Sequence, residues 1–110
     1  MGDIEAVEVL TQAKERLFEC GWGKYTHRSR LDKGDTQSFC LEDSLVGERG
    51  CYTHSDEKNP RDRAARYLRQ TLFGSNGQGS LWRWNDRQIS AGPVLDALDA
   101  AILVAKESSV

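Results

Sequence analysis

The sequence predicts an all-α fold: a compact bundle of about four helices with long loops and one short, extended, Trp-rich segment. Three observations carry this expectation. Apolar residues recur at helical spacing in several stretches, N-capping residues and glycines bracket those stretches, and no run of alternating strands appears. The chain has 110 residues, enough for one domain and too few for two.

The first helix is expected over residues 3–20. At 100° per residue, Ile4, Ala6, Val7, Val9, Leu10, Ala13, Leu17, Phe18 and Cys20 form one broad apolar face. Glu5, Glu8, Gln12, Glu15, Arg16 and Glu19 gather opposite, as a solvated face does. Asp3 is the expected N-cap, and Gly21 and Gly23 stop the helix. Residues 21–35 have neither period and read as a basic loop or irregular hairpin, net +3 over residues 24–33, with Trp22 tucked onto the core. A short helix over residues 37–46 follows, capped by Asp35 or Thr36 and closed by Gly47. Its apolar residues lie on two sides, so it is expected to run between other elements.

Residues 47–59 read as a polar loop. Asn59-Pro60 then opens a helix over residues 60–73 that Gly74 closes. Ala64, Ala65, Leu68 and Leu72 form its apolar stripe, and Arg63, Arg66 and Arg69 are expected on its outer face. A flexible linker, residues 75–80, leads to Leu81-Trp82-Arg83-Trp84-Asn85-Asp86. That segment looks too short for a helix and is expected to be extended, with Trp82 and Trp84 on one side. The last helix is capped by Ser90, tolerates Pro93 in its first turn, and buries Val94, Leu95, Ala97, Leu98, Ala101, Ile102 and Ala105. Leu103 falls among polar residues, where it offers a seed for a self-contact and leaves a homodimer open.

Composition narrows the function. Charged residues are 29% and the net charge is −2, which excludes polybasic tails and disordered acidic segments. No apolar stretch is long enough for a membrane span, and the acidic, periodic start does not read as a signal peptide. Ala6 stands where a myristoylation signal needs Ser or Thr. Three cysteines without a secretory signal are expected as thiols, so the expectation is a soluble, cytoplasmic protein.

Chemistry-bearing constellations are sparse. Cys51-x-x-His54 has chelating spacing, but the remaining zinc-type residues, Cys20, His27 and Cys40, supply no second close pair. No metal or other cofactor is expected. Cys51 and His54 also make a conceivable nucleophile–base pair, with no identifiable orienting group, so no catalytic residue is assigned. Asn85 and Asp86 are expected to be structural, folding the chain into the last helix behind a Trp84 anchor.

Two blocks of residues resemble a known family. Phe39-Cys40-Leu41 opens a short helix, and Trp84-Asn85-Asp86 precedes a capping Ser90 and Val94-Leu95-x-x-Leu98-Asp99-x-Ala101-Ile102. This pattern is similar to that of a family of small proteins of unknown function in actinobacteria and the phages that infect them. Glu42-Asp43 and Arg87-Gln88-Ile89 depart from it, where the family has small or apolar residues and a Pro-Gly turn. The resemblance implies a shared fold and an actinobacterial or phage setting, and no activity.

The expected function is therefore a non-enzymatic accessory protein that binds a host or phage protein, with Arg63, Arg66 and Arg69 as its partner-binding residues. The alternative is a nucleic-acid binder using the same arginines with Lys24, Arg28 and Arg30 of the basic loop.

Overall fold

Asp3 starts the first helix as its N-cap, its carboxylate accepting the Ala6 N–H at 3.2 Å. In the computed structural model, which describes residues 2–24, 27–47, 58–74 and 79–108, helix α1 spans Ile4–Cys20. It ends where the Gly21 N–H reaches back to the Leu17 carbonyl at 3.0 Å. Its buried stripe is Ala6, Leu10, Ala13 and Leu17, narrower than the face expected from periodicity. Ile4 and Phe18, expected inside, are 74% and 68% exposed. They lie at the edge of the apolar arc, and no element among the described residues covers that edge.

Among the described residues five helices follow: α2 His27–Asp32, α3 Leu41–Val46, α4 Pro60–Phe73, α5 Leu81–Arg87 and α6 Ala91–Glu107. No strand occurs among the described residues, so the all-α expectation holds. The long helices α1, α4 and α6 pack on one another. Leu10, Leu68 and Leu98 are fully buried, and Ala6, Ala13, Ala64, Ala65, Ala97, Ala101 and Ala105 are buried with them. Small side chains let helix backbones approach closely, so a few leucines suffice to fill the space between. Helix α3 lies against α1, α4 and α5, which fulfils the expectation that it runs between other elements.

Three elements depart from expectation. Helix α3 begins at Leu41, because Cys40 is its N-cap, with Sγ accepting the Asp43 N–H at 3.4 Å. Asp35 instead folds a turn, its carboxylate accepting the N–H groups of Gln37 and Ser38 at 3.1 and 3.0 Å. The segment read as a basic loop contains α2. Beside it, residues 21–23 make a two-bond parallel bridge with Phe39, Gly23 N–H to Phe39 carbonyl and Phe39 N–H to Gly21 carbonyl, both 3.0 Å. The Trp-rich segment is helical, not extended. Ser80 caps it, and Leu81 and Asn85, one turn apart, both point inward. A seven-residue helix is unstable alone, so contacts with α3 hold it. Trp82 therefore points outward while Trp84 packs on the core. Ser90 occupies the N-cap position of α6, but its side chain makes no capping bond.

Candidate interaction surface on helices α4 and α5

The Trp84-Asn85-Asp86 motif is a structural node. Asn85 is 0% exposed. Its Oδ1 accepts the Trp22 indole N–H at 2.6 Å and the Leu41 backbone N–H at 3.1 Å. Its Nδ2 donates to the Gly23 carbonyl at 3.1 Å and to Asp86 at 3.2 Å. One amide thus ties α5 to the segment after α1 and to the start of α3, and all four of its hydrogen-bonding sites are used. Gly23 is required at the node, since a Cβ there would run into Arg30 and Ser38. The sequence reading expects Asn85 to shape a local turn, whereas its hydrogen bonds to Leu41 and Trp22 span 44 and 63 residues.

Two ion pairs brace the same interior. Arg30 meets Asp43 at 3.1 Å, with both side chains almost fully buried. This corrects the placement of Arg30 in an exposed basic loop. Arg63 is likewise buried rather than on an outer face. Its Nε donates to Asp3 at 2.8 Å and its Nη2 to Glu5 at 3.1 Å. The Tyr67 hydroxyl donates to Asp3 at 2.9 Å, and the Asp3 N–H donates to the Ala105 carbonyl at 2.8 Å. Asp3 thus joins the start of α1, the first half of α4 and the end of α6. Burial pushes its carboxyl up, but the bonds from Arg63, Ala6 and Tyr67 outweigh that and hold it below its usual range.

Arg66 and Arg69 sit farther around α4, both half-buried, so the predicted arginine trio is split. Trp82 and Arg83, which sequence reasoning did not assign to a site, stand out instead. Trp82 is 52% exposed, and the Arg83 guanidinium lies 5.1 Å from its ring centroid. Glu42 of α3 links the two helices. The backbone N–H of Trp82 and the charge of Arg69 both act to lower its carboxyl. Burial, with the neighbouring Asp43 charge, still pushes the Glu42 carboxyl up. Trp82 and Arg83 thus stand exposed side by side on α5, and Arg69 of α4 acts on the same Glu42 carboxylate as the Trp82 backbone.

Other candidates do not assemble. Among the described residues no group of three or more His, Cys, Asp and Glu side chains could hold a metal. Cys20 and Cys40 are free thiols, and burial together with Asp43 pushes the Cys40 thiol up to about 11, which keeps it unreactive. Cys51 and His54 lie outside the described residues, as do the side chains of His27 and Arg28. A shallow groove of about 650 Å³ runs between Glu5 and Glu8 of α1 and Lys58 and Arg61 at the start of α4. No helix among the described residues is long and apolar enough to cross a membrane.

No curated protein and no solved structure matches this chain. A family profile matches residues 1–103, nearly its whole length, and the chain belongs to that family, a family of unknown function (DUF6197).

Proposed function

We propose that this protein is a non-enzymatic accessory protein that works by binding another protein, and that Trp82, Arg83 and Arg69 form the centre of its docking surface. The observation that carries this reading is the exposed Trp82 ring with the Arg83 guanidinium over it. Tryptophan and arginine dominate the energetics of protein interfaces, because each buries a large area while keeping a polar handle. Neither side chain is needed for the core, so their placement at the surface supports a contact made outside the fold. The partner that fits is a protein presenting an apolar pocket rimmed by carboxylates. The setting is that of the family resemblance, an actinobacterium or one of its phages, with the partner a host or phage protein.

The test is recovery of partners from an actinobacterial host with tagged wild-type protein and a Trp82→Ala/Arg83→Ala variant, with and without nuclease. The expected result is one stoichiometric protein that survives nuclease and is lost from the variant, whose circular dichroism is unchanged. Recovery of nucleic acid alone, falling steeply with salt, would instead favour the nucleic-acid alternative. That alternative has fewer cations than the sequence offered, since a phosphate contact through Arg30 requires breaking a buried ion pair.

A further inference from the structure

We draw no further inference here: the strongest candidate, the shallow groove between Glu5 and Glu8 of α1 and Lys58 and Arg61 at the start of α4, is lined by exposed and half-buried side chains of both charges, so nothing in the structure shows what covers it.

Discussion

Replacing Asn85 by Leu keeps the side-chain volume close to native and removes every hydrogen bond the amide makes. Four groups lose a partner: the Trp22 indole N–H, the Leu41 N–H, the Gly23 carbonyl and Asp86. Trp22 and Asp86 are half-exposed and recover water, so their losses are small. Leu41 and Gly23 are buried, and their backbone groups are left unpaired. A buried group stripped of its partner costs about 1–3 kcal/mol, so the pair costs about 2–6 kcal/mol, against which one better-buried apolar side chain returns about 1–2 kcal/mol. At the middle of these ranges the expected net loss is about 2.5 kcal/mol, a large fraction of the roughly 5–15 kcal/mol typical of a domain. Urea unfolding followed by far-ultraviolet circular dichroism measures it. Tryptophan fluorescence, which also reports release of Trp22 and Trp84, should give the same midpoint. A loss under about 1 kcal/mol would refute the reasoning, because it would mean that water or a shifted backbone satisfies these groups without the amide.

Four further outcomes follow from the fold. Arg30→Ala is expected to destabilise by about 3–5 kcal/mol in urea unfolding, since it strands Asp43 in a buried site, whereas Arg30→Met/Asp43→Leu is expected to cost much less. In acid titration, the contribution of Asp3 is present above the ordinary carboxylate range and is lost as pH falls through its depressed folded value, so Asp3→Asn is expected to flatten the acid limb of the stability curve. Glu42 has the opposite sign: its raised folded value favours the fold at low pH and is lost as pH rises through it, so Glu42→Gln is expected to gain stability at neutral pH. Gly47 caps α3 in the left-handed region at φ 82°, and Gly47→Ala is expected to lower stability by about 1 kcal/mol in the same unfolding assay.

The long helices were legible because their signals are local. Asp3, Asn59-Pro60, Gly21 and Gly74 mark the ends of α1 and α4, and a stripe of Ala and Leu spans each. The short helices α2 and α5 were not, since six or seven residues carry too little periodicity to outweigh the breakers around them. Contacts from distant parts of the chain make α5 helical, above all the bonds from Asn85 to Trp22, Gly23 and Leu41. Arg63 was placed outside because arginine is seldom buried without a partner, and its partner Asp3 is 60 residues away. On α4 it lies only about 40° from Tyr67, at the edge of the buried face, while Arg66 and Arg69 turn progressively away. The Trp82–Arg83 surface was hidden by the same misreading that made α5 extended. In a strand Trp82 and Trp84 share a side, whereas in a helix they diverge, and only Trp82 is left at the surface.

The most direct test of a protein-docking role is photocrosslinking in the native host from a photoreactive phenylalanine analogue at position 82, with the same analogue at position 12 as reference. The account predicts one discrete protein adduct from position 82 that is lost on Arg83→Ala, and none from position 12. Adducts to nucleic acid, or no protein adduct from position 82, would contradict it.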